Sequence, residues 1–177
     1  ADIVISAAGC AGLIKADYVR PGQVVVDVGV NYDFGDLPGL VKRKVMHGAS
    51  DFSRGPAMTR EQALECLQVG IDMAREEKAR GLDIVAAGEM GIGNTTPSSA
   101  IVAVLTGTVT GRGSGVKGEV IRKKIELIEQ GIALNKPDPS DAIDVLAKVG
   151  GPEIGAMAGL MLGAASLRVP IVIDGFI

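Results

Sequence analysis

A carboxylate beside a glycine-rich turn is the densest concentration of chemistry in this chain. Residues 88–97 read Gly88-Glu-Met-Gly-Ile-Gly-Asn-Thr-Thr-Pro97, and the acid is Glu89. A short apolar run, Ile84-Val-Ala-Ala87, comes before it, and an apolar helical pattern over 98–105 follows. Glycines let backbone amides approach a ligand closely, and the start of a helix offers N–H groups with no intrahelical partner. Together they make a site for a phosphate or a carboxylate. The segment therefore predicts a phosphorylated small molecule as ligand, with Glu89 at the mouth of its site. Gly91-Ile-Gly93-Asn-Thr-Thr96 matches a dinucleotide fingerprint only in part, because Thr96 stands where the third glycine belongs. A structural turn explains such a partial match equally well. No Gly-Lys-Ser/Thr follows, so it is not a Walker A loop.

Other chemistries are poorly supplied. His47 is the single histidine, and Cys10 and Cys66 lie far apart with no CxxC context. These residues do not compose an ordinary zinc site, and no metal or cofactor is expected. Two isolated cysteines suit reduced thiols in a cytoplasmic protein. A Ser-His-Asp triad would need His47, and no nucleophile elbow accompanies it. The net charge of −3 gives no reason to expect nucleic acid or an anionic membrane as partner. No apolar run reaches spanning length, and the opening Ala1-Asp-Ile-Val-Ile-Ser6 lacks a signal-peptide pattern.

The elements that must position these groups follow from patterning. The chain has 177 residues, 47% apolar but only 3% aromatic, which suits one α/β domain over 1–177 with an aliphatic core. Strands are expected at 2–6, 23–29, 83–87 and 170–174, with a turn at 9–12. Residues 31–55 read as a long irregular loop, a length that points to function. Thr59 and Gln62 fit a capping box for a helix carrying Leu64, Leu67, Ile71 and Ala74 and ending at Gly81. Thr96 is expected to cap the next helix, with Pro97 at its first position. A second glycine loop, Thr110-Gly-Arg-Gly-Ser-Gly115, leads to a helix over 119–134 with Ile121, Ile125, Ile128 and Ile132 on one face. Ser140 is expected to cap a short helix stopping at Gly150-Gly151. Over 153–167, Gly155, Ala158, Gly159 and Gly163 allow close approach to a sheet, and the methionines there read as core. The alternation predicts an α/β doubly wound, mostly parallel sheet with helices on both faces, open to being incomplete at both ends. In such folds ligands bind beyond the carboxyl ends of the strands, which would put Glu89, the glycine loop and Asp174 on one rim.

Taken whole, Gly88 to Pro97 resembles the signature of the nicotinate-nucleotide–dimethylbenzimidazole phosphoribosyltransferase family. Five further segments agree in the family's order: Arg54-Gly-Pro-Ala-Met-Thr-Arg-Glu-Gln-Ala63, Thr110 to Gly115, Asp144-Val-Leu-Ala-Lys-Val-Gly-Gly151, Ala156-Met-Ala-Gly-Leu-Met-Leu-Gly-Ala-Ala165 and Val169-Pro-Ile-Val-Ile-Asp-Gly-Phe176. The resemblance covers about 24–177. Residues 1–31 instead resemble the NADP-binding part of methylenetetrahydrofolate dehydrogenase/cyclohydrolase. Either two gene fragments meet at the strand over 24–30, or a phosphoribosyltransferase carries this N-terminal sequence.

The resemblance implies phosphoribosyl transfer from nicotinate mononucleotide to a benzimidazole base, in cobalamin nucleotide-loop assembly. It implies that Gly91, Gly93, Asn94, Thr95 and Thr96 hold the phosphate, and that Glu89 stabilises positive charge developing on the ribose. It aligns Lys124 with a family lysine near the phosphoribosyl group; a solvated lysine on a helix face, beside Arg122 and Lys123, is the alternative. Asp174 would orient a loop or the ribose hydroxyls, or merely cap a turn. The family's general-base glutamate is expected beyond Ile177, so weak or absent turnover is expected of this chain. A homodimer is implied. The competing readings are an NADP-binding folate-enzyme fragment and a non-catalytic module of the same fold.

Overall fold

A computed structural model of the chain describes residues 3–6, 22–90, 93–108, 118–173 and 175–177. The turn expected at 9–12 and the loop Thr110 to Gly115 lie outside the described residues. Five parallel strands form one sheet in the order β3-β2-β1-β4-β5. They are β1 (Ile3–Ser6), β2 (Val24–Asp27), β3 (Leu40–Lys42), β4 (Val85–Met90) and β5 (Ile171–Val172). Winding reverses between β1 and β4, which leaves a crevice at their carboxyl ends, the usual ligand position in a wound α/β sheet. The mixed α/β architecture and the parallel sheet are as the sequence patterning predicts.

Two strands depart from expectation. β4 runs three residues past Ala87, because β1 offers it a partner: Ile3 pairs with Ala87, Ile5 with Glu89 and Ser6 with Met90. Glu89 therefore stands on a strand end and not in the glycine loop. Within the loop expected at 31–55, Leu40-Val-Lys42 forms β3 on the sheet edge, held by Val25, Val26 and Asp27 of β2. The segment after β3 then follows the end of β2: Arg43, Val45 and Gly48 donate their amides to Asp27 O, Val28 O and Gly29 O at 3.0, 2.9 and 2.9 Å.

The described residues form five helices: α1 (Arg60–Ala79), α2 (Thr95–Thr106), α3 (Glu119–Asn135), α4 (Ala142–Val149) and α5 (Pro152–Ser166). The capping box on α1 forms as expected, Thr59 Oγ1 accepting from Gln62 N at 3.2 Å and Gln62 Oε1 from Thr59 N at 2.9 Å. Its buried face is not centred where the leucines suggest. Ala63, Cys66, Gly70, Met73 and Ala74 are buried, while Leu64 is 48% exposed. Asp141, not Ser140, caps α4, its Oδ1 accepting from Ile143 N and Asp144 N at 3.0 and 3.1 Å. Aspartate satisfies both orphan amides at once and also pairs with Arg60 at 2.7 Å. Thr96 does not cap α2; the N-cap position falls on Asn94, and Pro97 sits third in the helix. Proline costs nothing there, since the first-turn amides lack intrahelical acceptors anyway.

The small residues of α5 face α1 and not the sheet. A Cβ on Gly159 would stand 2.0 Å from Leu67 O, and one on Gly70 would stand 1.9 Å from Ala156 O. The two backbones are thus in contact, and Ala158, outside this seam, is exposed. α5 in turn packs against β1, β4 and β5, so α1 is tied to the sheet through it. Val26, Val85, Met73, Met157 and Leu160 fill this core, which makes Met157 the core residue expected. Cys66 lies within the same core, and burial pushes its thiol up to about 12, helped by the charges of Glu153 and Glu65. No described helix is long and apolar enough to cross a membrane.

Because nothing can yield at a backbone contact, Gly159→Ala is expected to lower unfolding stability by about 2–3 kcal/mol or more. Gly55→Ala is the control, since no atom lies within 4 Å of the added methyl. Urea unfolding of the two variants checks this.

Candidate functional site

The carboxyl ends of β2 and β4 and the first turns of α2 and α5 converge on one hollow. A cavity of about 400 Å³ is lined by Asn31 and residues 47–52 on one side, by Gly93, Asn94, Thr96 and Pro97 on another, and by residues 150–153. Each wall has its own support. Asp27 at the end of β2 is 2% exposed, accepts from Val30 N at 2.9 Å and pairs with Lys44 at 3.3 Å. That fixes the turn carrying Asn31. Asn135 of α3 donates to Phe52 O at 2.7 Å, and Gly131 leaves room for the Phe52 ring, which would lie 2.3 Å from a Cβ there. Asp51 accepts from the amide and the hydroxyl of Ser53 at 3.0 and 2.7 Å. These bonds, with Arg54 nearby, hold its carboxyl below the usual range. The start of α5 is fixed by Gly29, where a Cβ would meet Pro152 at 2.8 Å.

The residues singled out from the sequence gather on the cavity's α2 side. Gly93 adopts φ +83°, a conformation that glycine takes without strain. Asn94 is 6% exposed and donates from Nδ2 to Glu89 Oε2. Thr95 accepts from Lys124 Nζ at 3.0 Å, which joins α3 to the start of α2. Lys124 is 8% exposed, and burial lowers its pKa. The alternative of a solvated lysine is thereby set aside, whereas Lys123 beside it is exposed and pairs with Glu119 at 3.6 Å. Thr96 lines the cavity, and its amide is used internally, donating to Gly93 O at 3.1 Å. Among the described residues the amides of Gly93, Asn94 and Thr95 have no backbone acceptor. Glu89 reaches the cavity wall through Asn94; Lys124 stands behind Thr95. Gly91 and Asp174 lie outside the described residues.

One residue of the cavity wall had no assigned role. Glu153, second residue of α5, is 4% exposed and lines the cavity together with Asn94. Burial raises its pKa, against the lowering effect of its own backbone amide and Asn94, while the charge of Glu89 raises it further. The one sequence signal was an acid directly after Gly150-Gly-Pro152, and such an acid ordinarily reads as complement to a helix dipole. The histidine also lies here: His47 lines the cavity mouth with the loop that follows it.

A wound α/β sheet with a helix start and a carboxylate at its switch point suits an enzyme acting on a sugar phosphate. A family model described as phosphoribosyltransferase matches residues 7–177, and the chain belongs to that family. It is 56% identical over 174 residues to the nicotinate-nucleotide–dimethylbenzimidazole phosphoribosyltransferase of Geobacter sulfurreducens, covering 96% of this chain and 49% of that protein. Identity to the protein of the same name from Roseiflexus sp. is 52% over 173 residues, with the same coverage of 96% and 49%. The crystal structure of CobT from Thermus thermophilus superposes with a TM-score of 0.83 at 36% identity, covering 98% of this chain and 61% of that one. The chain spans about half the length of the curated relatives it matches. These findings bear out the resemblance read from the glycine loop. The family match also takes in most of the segment likened to the folate enzyme, since it begins at residue 7.

Glu153 makes stability depend on pH in a definite direction. Its pKa is raised from 4.5 on folding, so the folded chain keeps a proton that the unfolded chain has released. Stability contributed there is lost as pH rises from the unfolded toward the folded pKa. Glu153→Gln cannot ionise. Its stability relative to the unsubstituted chain is expected to improve as pH rises above the unfolded value of 4.5, as measured by urea midpoints.

Proposed function

We propose that this chain takes part in phosphoribosyl transfer from nicotinate mononucleotide to 5,6-dimethylbenzimidazole, giving α-ribazole 5'-phosphate for cobalamin nucleotide-loop assembly. The names of its relatives support these substrates, and the family match supports the transferase reading over an NADP-binding one. The observation that carries the reading is the contact of Lys124 with Thr95 at the start of α2, beside amides that have no backbone acceptor among the described residues. A buried ammonium and a helix start together attract a phosphate dianion.

The reaction is a displacement at C1 of the ribose. A benzimidazole ring nitrogen forms the new C–N bond while the bond to nicotinate breaks. Nicotinate leaves with the electron pair, and the benzimidazole N–H proton passes to a base. Positive charge develops on the ribose as the old bond lengthens. Glu89, on the end of β4, is the carboxylate that stabilises it electrostatically. On this reading Gly91, Gly93, Asn94, Thr95 and Thr96 frame the phosphate, and Asp174 orients a loop or the ribose hydroxyls. No cofactor enters this scheme. The same reading takes 1–177 as one Rossmann-like α/β domain of a cytoplasmic enzyme. It further takes that enzyme to be a homodimer, with Leu105, Leu127 and Leu134, each roughly half exposed, available as packing surface.

Titration calorimetry with nicotinate mononucleotide, NADP and inorganic phosphate tests the reading. Binding of the mononucleotide is expected, and Lys124→Ala is expected to weaken it about tenfold or more, the value of a charge-assisted hydrogen bond. Binding of NADP alone would transfer the chain to the folate-enzyme reading. Binding of none of the three would leave only a structural module.

A further inference from the structure

In the proposed reaction the phosphate and the ribose lie on the α2 side of the cavity. The opposite side carries Asn31 and residues 47–52. β1 stands between β2 and β4 in the sheet. The strand ends that lead to Asn31 and to Glu89 therefore lie two strand spacings apart, about 10 Å. A sugar phosphate anchored at α2 meets Asn31 only with whatever extends from its ribose across β1.

One ammonium brackets Asn31. Lys44 Nζ donates to Val30 O at 2.9 Å and to Tyr32 O, the carbonyls on either side of it. The same ammonium pairs with Asp27 Oδ2 at 3.3 Å and stands 6.0 Å from the centroid of the Phe34 ring. Asp27 Oδ1 accepts from Val30 N at 2.9 Å. Gly48 donates its amide to Gly29 O at 2.9 Å, and a Cβ on Gly48 would stand 3.6 Å from Asn31 Cβ. The backbone around Asn31 is thus committed. Its own side chain is exposed and makes no hydrogen bond among the described residues. A fixed backbone that presents a free amide to a cavity can bind a ligand group at little ordering cost. The acid of the same wall is already engaged, Asp51 by Ser53 at 3.0 and 2.7 Å and by Arg54 at 3.4 Å.

We propose that Asn31 is a specificity residue whose side-chain amide donates to the carboxylate of the nicotinate ring. The proposal rests on the reading that nicotinate mononucleotide is the ligand. Once the ring nitrogen is bonded to C1 of the ribose, the carboxylate is the one polar group that the ring still offers. Asn31 Nδ2 has two N–H donors for it. A nicotinamide ring carries a carboxamide there, which both donates and accepts. Replacing the amide at position 31 by a carboxylate therefore opposes the first ring and suits the second.

Calorimetry with three probes tests this: nicotinate mononucleotide, nicotinamide mononucleotide and ribose 5-phosphate, each titrated into the full chain and its variants. Asn31→Ala should weaken nicotinate mononucleotide about tenfold, the value of a hydrogen bond to a charged group. Asn31→Asp should weaken it at least as much, because two carboxylates then face each other. The same variant should hold nicotinamide mononucleotide within about threefold, since the carboxamide donates to the new acceptor. Ribose 5-phosphate lacks the ring, and its affinity should stay within about threefold in both variants. That last value also reports a folded site, so a misfolded variant is not mistaken for a specific loss. Equal losses of the two mononucleotides in Asn31→Asp, unchanged nicotinate mononucleotide affinity, or a parallel loss of ribose 5-phosphate would overturn the proposal and leave the phosphoribosyl reading standing. If the unsubstituted chain binds neither mononucleotide, that reading fails and the proposal falls with it.

Discussion

The backbone contact between α1 and α5 is the constraint from which the site follows. Two helices can approach so closely only where neither carries a side chain, and Gly70 and Gly159 clear the seam on opposite partners. α5 is thereby fixed on one side by α1 and on the other by β1, β4 and β5. Its first turn has little freedom left, and that turn delivers Pro152 to Gly29 and Glu153 to Asn94. A seam of glycines some distance from the cavity thus sets where a carboxyl stands inside it. The same packing buries Cys66, which faces α5 with its Cβ 2.9 Å from where a Cβ of Gly155 would lie.

Charge in the cavity is arranged by two buried pairings of opposite character. On one side Lys124 reaches Thr95, and positive charge accumulates with the amides at the start of α2. On the other side Glu89 accepts from the neutral Asn94 amide, and Glu153 lines the same wall. Two carboxylates so close would repel, and burial favours the protonated form of the deeper one. Burial thus disfavours charge on Glu153, while Glu89 stands at the end of β4. The arrangement separates an anion-attracting end from an end that favours a developing cation. A sugar phosphate whose C1 becomes positive presents that same polarity.

Much of this was legible in the sequence, and the failures have physical reasons. The capping box at Thr59 and the parallel strands are features with clear local signals. β3 was not legible, because three residues on a sheet edge take their conformation from β2 and not from their own pattern. The length of β4 likewise depends on β1, which lies far earlier in the chain. The tertiary partner of Asn94 was not legible for a related reason. Composition marks a residue before a helix as a cap or a ligand contact, and only the tertiary neighbour Glu89 draws its side-chain amide. Lys124 could not be separated from Arg122 and Lys123 by periodicity alone; its burial against α2 separates them. The glycines of α5 declared close packing correctly, but nothing in their spacing said that the partner was a helix.

The central claim is that amides at the start of α2 and the Lys124 ammonium receive a phosphate while Glu89 faces the attached ribose. A crystal of the chain soaked with nicotinate mononucleotide tests it most directly. The account predicts phosphate oxygens about 2.7–3.2 Å from the amides of residues 93–95 and from Lys124 Nζ, with the ribose against Glu89. A mononucleotide bound away from α2, or with its ribose turned from Glu89, would contradict it.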